Sequence, residues 1–199
     1  MRITNGKGEK TLLLAHGAGA GMNSEFLNAF AEGISKGGIR VIRFNFPYMK
    51  IMMETGKRRP PNSAKLLMDA FKDEIRSING PLIIGGKSMG GRIASMIADD
   101  SPACGVLCFG YPFHPPGKPE KLRTAHLEHI ITPTLILQGE RDPFGKPYEV
   151  ENYILSSNIR IHWLPDGDHG LKPRKASGKT QLDNWQESIS KSIEFIQRQ

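Results

Sequence analysis

The stretch that decides the reading is PLIIGGKSMGGRIASMIADD, residues 81–100. Leu82, Ile83 and Ile84 form an apolar run suited to a buried β-strand, and residues 92–100 continue as a helix. Between them Gly86-Lys87-Ser88-Met89-Gly90 fits G-x-S-x-G, which places a serine on a strained strand-to-helix corner. The flanking glycines are needed sterically, because the turn brings the serine backbone close to its neighbours. A strand entering and a helix leaving supply the context without which such a motif means little.

Working outward, short apolar runs alternate with longer amphipathic ones. Strands are expected at residues 11–15, 40–45, 81–85, 105–109, 134–138 and 159–163. Helices are expected at 24–35, 63–78, 92–99, 148–156 and 181–197. In the second of these helices Leu67, Ala70, Phe71, Ile75 and Ile78 recur at helical spacing, with Lys65, Asp69, Lys72, Asp73 and Arg76 facing away. Alternating strands and helices imply a mostly parallel sheet of about six strands with helices on both faces, a three-layer α/β architecture. Right-handed crossovers make that sheet doubly wound. Two stretches, 47–62 and 111–121, are rich in proline and glycine and are expected to be irregular. Both leave the carboxyl edge of the sheet, where ligands bind in open α/β folds, so both are expected pocket walls. Met49, Met52 and Met53 fit either an adaptable apolar surface there or packing beneath a loop.

Length and composition bound the rest. The chain has 199 residues, 38% of them hydrophobic, and a formal charge of +7. That suits one domain covering 1–199 with a core large enough to need no staple. No apolar run approaches the roughly 20 residues of a membrane span. The apolar run near the N-terminus is cut short by His16 and the glycines after it, so it reads as a core strand rather than a signal peptide. A cytoplasmic location is expected. Cys104 and Cys108, four residues apart on an extended strand, lie about 13 Å from each other and read as buried free thiols. The basic clusters KRR (57–59) and KPRKASGK (172–179) read as solvated loops; without interleaved aromatics or a recognised module, no nucleic-acid partner is implied.

A serine needs a base and an acid to become nucleophilic. The ends of the later strands provide them: GERDP (139–143) offers Glu140 and Asp142, and LPDGDHG (164–170) offers Asp166, Asp168 and His169. The order serine, acid, histidine is that of an α/β-hydrolase. An oxyanion hole would take one backbone N–H from Met89 and a second from HGAGAG (16–21), with Ala18 the candidate. The first and third expected strands would be neighbours with connections leaving in opposite directions, which puts a topological switch point between them. His16 is expected to hold the loop shape. His114, His126, His129 and His162 lack an acid suitably placed in the sequence. Lys87, beside the nucleophile, has three open roles: meeting an anionic substrate, meeting an acid, or facing solvent.

On HGAGAG, GKSMGG, GERDPFG and PDGDHGLKP, in that order, the chain resembles the α/β-hydrolases. It is most similar to the small, lidless dienelactone-hydrolase-like group, including bacterial hydrolases related to testis-expressed protein and to the hydrolase-like subunit of a histone acetyltransferase complex. The likeness spans nearly the whole chain. It implies Ser88 as nucleophile, Asp142 as acid and His169 as base, with no cofactor, no metal and no cap. Dienelactone hydrolases have a cysteine in place of Ser88, so their substrate does not carry over. The chain also starts too near HGAGAG for the usual leading antiparallel strands. The expected function is cleavage of a small ester or thioester, neutral or anionic, through an acyl-serine. The alternative is an interaction subunit on a hydrolase fold with weak or no catalysis; acyl transfer or peroxide-dependent chemistry on the same triad is a third reading.

Overall fold

Leu12, Leu13, Leu14 and Ala15 are all fully buried, and they sit on an interior strand of a seven-stranded sheet, beside its central one. A computed structural model describes residues 2–199. Its strands are β1 (Arg2–Asn5), β2 (Thr11–Ala15), β3 (Arg40–Phe44), β4 (Leu82–Lys87), β5 (Gly105–Phe109), β6 (Thr134–Gly139) and β7 (Ile159–Leu164). The helices are α1 (Glu25–Ser35), α2 (Pro47–Thr55), α3 (Ala64–Ile75), α4 (Met89–Ile97), α5 (Pro147–Val150) and α6 (Gln181–Arg198). The strand order is β1-β3-β2-β4-β5-β6-β7. Every pair is parallel except β1 with β3, where Arg2 faces Phe44 and Asn5 faces Val41. This is an α/β-hydrolase fold without a cap.

Strand alternation divides the core into two layers. On one face Leu13, Ile84, Val106 and Ile136 meet Leu67 and Phe71 of α3 and Ile93 and Ile97 of α4. On the other, Leu12, Leu14, Ile83 and Leu107 meet Leu27, Phe30 and Ile34 of α1 and Trp185 and Ile196 of α6. The helices begin where capping chemistry places them. Ser24 Oγ accepts from the Leu27 N–H at 3.3 Å, Ser63 Oγ from Leu66 at 3.4 Å, and Thr180 with Asp183 closes a capping box.

Several expectations need correction. An antiparallel leading strand does exist. β1 is a short edge strand with an exposed-and-half-buried alternation too weak to read in sequence, and it is tied down by Arg2 Nε donating to Glu74 Oε2 at 2.5 Å. The first half of the stretch 47–62 is helix α2. Pro47 is not a breaker there because it occupies the first turn, where its missing N–H has no partner to lose, and Gly56 ends the helix in the left-handed region at φ 68°. The helix expected at 148–156 is only α5. Beyond it the backbone tightens to i→i−3 bonds, Asn152 N–H to Glu149 O and Tyr153 N–H to Val150 O. α4 starts at Met89, three residues earlier than expected. Cys104 and Cys108 are unpaired, and Cys104 is partly exposed. Among the described residues no helix is long and apolar enough to cross a membrane.

The tightest backbone packing lies at the corner between β4 and α4. A Cβ on Gly90 would stand 2.6 Å from Ala15 O and 2.7 Å from His16 O, and one on Gly86 would stand 2.6 Å from Ala15 O. Backbone atoms cannot step aside as a side chain can. Gly90→Ala is therefore expected to lower stability by about 1–3 kcal/mol, read by urea denaturation. Gly19→Ala, which would meet nothing within 4 Å, should stay within about 0.5 kcal/mol of wild type. Equal effects at the two positions would show that the corner is looser than described.

Candidate active site

Ser88 links β4 to α4 with φ 53° and ψ −114°, one of three non-glycine residues at positive φ among the described residues. Such a conformation costs of order 1–3 kcal/mol and survives only where its surroundings impose it. Here the Ser88 N–H donates to Phe109 O at 2.9 Å and its carbonyl accepts from the Arg92 N–H at 3.0 Å. The first residues of α4 have no helical partners for their N–H groups. Among the described residues neither the Met89 nor the Ala18 N–H is bonded within the chain, and both residues border the same cavity as Ser88.

His169 comes from the loop after β7 and Asp142 from the loop after β6. His169 Nδ1 lies 2.8 Å from Asp142 Oδ2, and the carboxylate is completely buried. Oδ2 also accepts from Gln138 Nε2 at 3.0 Å, and Oδ1 accepts from the Phe144 N–H at 2.9 Å. An acceptor facing Nδ1 assigns the ring proton to that nitrogen, leaving Nε2 with a free lone pair. The ring rests against Phe144, centroids 4.4 Å apart. No hydrogen bond joins Ser88 Oγ to His169 among the described residues. The two line one cavity of about 370 Å³, together with Gly17, Ala18, Lys87 and Phe144.

The rival acids have other duties. Asp168 Oδ1 accepts from the Gly170 and Lys172 N–H groups at 2.7 and 2.9 Å, shaping the histidine loop as a cap. Asp166 is bound by Arg174, whose guanidinium holds its carboxyl down to about 2. Glu140 Oε2 accepts from the Asp166 N–H at 2.8 Å. From below, α6 pins the loop: Trp185 Nε1 donates to Gly170 O at 2.9 Å and Asn184 Nδ2 to Leu171 O at 3.0 Å.

Lys87 does not face solvent. Its ammonium donates to the His169 carbonyl oxygen and stands 5.4 Å above the Phe26 ring. Burial pulls its pKa down to about 8, against the opposing pull of Asp142 and Asp168.

His16 holds the loop 16–21, as expected. Nδ1 lies 2.7 Å from Gly17 O, and Nε2 accepts from the Phe46 N–H at 3.0 Å, which defines a neutral ring. Burial pushes its pKa down to about 4. Sequence reasoning missed Tyr48, whose hydroxyl donates to Ala18 O at 3.0 Å and so fixes the loop 16–21, and Gln138, which steadies Asp142. The signals were present: an aromatic right after the proline that opens α2, and a glutamine at the end of an otherwise apolar run. The other histidines also need correction. His162 Nε2 pairs with Glu187 Oε1 at 2.8 Å, and His114, nearly fully buried, faces Glu149 Oε1 at 3.6 Å. Neither belongs to the Ser88 site.

A second cavity of about 320 Å³ meets the first at Ala18, Ser88 and Phe144. Pro61 and Asn62 wall it on one side and Pro112 on another, so both proline-rich stretches contribute, whereas Met49, Met52 and Met53 do not. Met49 is core, and Met53 is 54% exposed. A separate cavity against Pro133, Asn158 and Phe195 opens at the amino-terminal edge of the sheet, away from Ser88. Among the described residues no group of three or more His, Cys, Asp or Glu side chains could hold a metal ion.

Residues 8–197 match the family model described as the alpha/beta hydrolase domain. The chain belongs to the α/β-hydrolase domain family. Solved structures share this hydrolase fold at low identity. A lidless α/β serine hydrolase from Xanthomonas campestris is 16% identical with TM-score 0.70, covering 96% of this chain and 88% of that one. An α/β serine hydrolase homologue from Coxiella burnetii is 15% identical with TM-score 0.68, covering 99% and 89%. Est1E from Butyrivibrio proteoclasticus, with ferulic acid bound, is 12% identical with TM-score 0.70, covering 100% and 96%.

His16 gives this hydrolase domain a pH signature. Its pKa is about 4 in the fold against 6.5 for the free side chain, so only the unfolded chain takes up the proton between those values. Stability from this residue is complete above pH 6.5 and is lost as pH falls towards 4. The advantage of wild type over His16→Gln should shrink by about 3 kcal/mol between pH 7 and pH 4, measured by denaturant titration at each pH. An advantage independent of pH would show that His16 is not held neutral.

Proposed function

We propose that this protein is a serine hydrolase that cleaves a small ester or thioester through an acyl-serine intermediate. Ser88 is the nucleophile, His169 the general base and then acid, and Asp142 the residue that sets the ring tautomer. The N–H groups of Ala18 and Met89 form the oxyanion hole. The observation that carries this reading is the pairing of His169 with a fully buried Asp142 at 2.8 Å, on the cavity that also exposes the positive-φ Ser88. The narrower likeness to dienelactone-hydrolase-like proteins rests on the four motifs and belongs to the same proposal, as does a cytoplasmic location.

The chemistry follows from which groups have unused capacity. His169 Nε2 takes the proton of Ser88 Oγ as the oxygen attacks the carbonyl carbon. Charge then moves to the carbonyl oxygen, where the unpaired Ala18 and Met89 N–H groups meet it. The imidazolium, balanced by Asp142, returns its proton to the departing oxygen or sulfur as that bond breaks. Water repeats the sequence and frees Ser88. Because His169 lines the cavity of about 370 Å³ and the cavity of about 320 Å³ adjoins the oxyanion donors, the leaving group occupies the former and the acyl group the latter.

Ser88→Ala and Asp142→Asn are each expected to lower kcat by roughly 10³-fold or more on a panel of short nitrophenyl esters and thioesters. A fluorophosphonate should label wild type at Ser88 and leave Ser88→Ala unlabelled. Turnover unchanged in Ser88→Ala would remove this serine from the mechanism. An unreactive Ser88 in folded protein would favour the interaction-subunit reading instead.

A further inference from the structure

The cavity on the acyl side of Ser88 carries two cationic side chains that the triad does not use. Arg92 projects from α4, one turn beyond Ser88, and Arg123 from the connection between β5 and β6; both line the cavity. Both are half-buried. No carboxylate lies within 4.0 Å of either guanidinium among the described residues, and Arg92 Nε is buried with no hydrogen-bond partner. Arg2, Arg76, Arg141 and Arg174 each have a carboxylate partner, and the more deeply buried Arg43, which has none, spends its terminal nitrogens on Met22 O and Asn5 Oδ1. Desolvation and the charge of Arg92 lower the pKa of Arg123. Arg92 likewise helps burial push His126 down to about 4. The positive field at this spot is therefore not neutralised from within the protein.

Two half-buried guanidinium groups left without an anion are costly, and their planar donor arrays suit a carboxylate. Apart from Asn62 and Ser88 the rest of the wall is apolar, with Leu67 and Ile93 beside Met89. We propose that the acyl group of the substrate ends in a carboxylate, held by Arg92 and Arg123, so that the protein cleaves the half-ester or half-thioester of a dicarboxylic acid. This rests on the serine-hydrolase reading. The methylenes lie along Leu67 and Ile93, and the reacting carbonyl reaches Ser88. Attack by Ser88 Oγ forms the acyl–oxygen bond, the bond to the alcohol or thiol breaks with its proton supplied by His169, and water releases the free dicarboxylate.

The test compares nitrophenyl half-esters of succinate, glutarate and adipate with the neutral butyrate, valerate and hexanoate esters. Wild type should prefer the best anionic ester over its neutral counterpart by about tenfold or more in kcat/KM. Arg92→Met and Arg123→Met should each cut that ratio by about tenfold, and Arg92→Lys, which keeps the charge, should recover part of it. Neutral esters turned over with no anionic preference, or with a preference that survives both Met substitutions, would overturn the carboxylate subsite while leaving the hydrolase reading intact. If no ester is hydrolysed and Ser88 resists fluorophosphonate, the hydrolase reading fails instead. Calorimetric titration with glutarate and adipate then decides the subsite: binding to wild type that is lost in Arg92→Met supports it, and no binding to wild type rejects it.

Discussion

The site depends on how closely α4 approaches β2. Ala15 and His16 carbonyls pack against Gly90, and Ala15 O also lies beside Gly86, with no room for a Cβ at either glycine. That contact forces the chain to turn within one residue, and Ser88 takes up the strain at φ 53°. The consequence is chemical. A serine on so sharp a corner projects from the sheet edge, and the first turn of α4 points free N–H groups at the same space. Because β2 and β4 are neighbours, the loop after β2 arrives beside that turn and brings Ala18 with it.

Charge in the site is distributed unevenly. On one side every charge is answered: Asp142 is buried but bonded to His169, Gln138 and Phe144, and Lys87 donates to the His169 carbonyl beneath the ring. Those contacts hold the imidazole where its free nitrogen borders the cavity. On the other side Arg92 and Arg123 face a mostly apolar hollow, with no carboxylate within 4.0 Å among the described residues. A protein interior tolerates unpaired cations poorly. An uncompensated pair on the same cavity as Ser88 is therefore information about what enters.

The support beneath the chemistry comes from remote parts of the chain. α6, the last helix, pins the histidine loop through Trp185 and Asn184. α2 fixes the loop 16–21 through Tyr48. His16 does the same from within, and can do so only as a neutral ring. These residues touch no substrate in the proposed mechanism, and they set the positions of the groups that do.

Much of this was legible in the amino-acid order. The apolar runs of β2 to β7, the serine and its flanking glycines, and the order of Ser88, Asp142 and His169 were readable because each is encoded locally, by periodicity or by a short motif. β1 was not, since Arg2–Asn5 has little apolar character and becomes a strand only because β3 offers an edge. α2 was hidden by its proline, whose meaning depends on where in a helix it falls. The choice of Asp142 over Glu140, Asp166 and Asp168 came from family likeness, and the role of Lys87 could not be read at all. Asp142 meets His169, and Lys87 meets the His169 carbonyl, only across separate loops and strands, and a linear sequence carries no distances. The same holds for Arg92 and Arg123, thirty-one positions apart. Sequence determines that two arginines exist, and only folding leaves them together, half-buried and without an acid, because burial and pairing are properties of neighbours that the chain acquires in three dimensions.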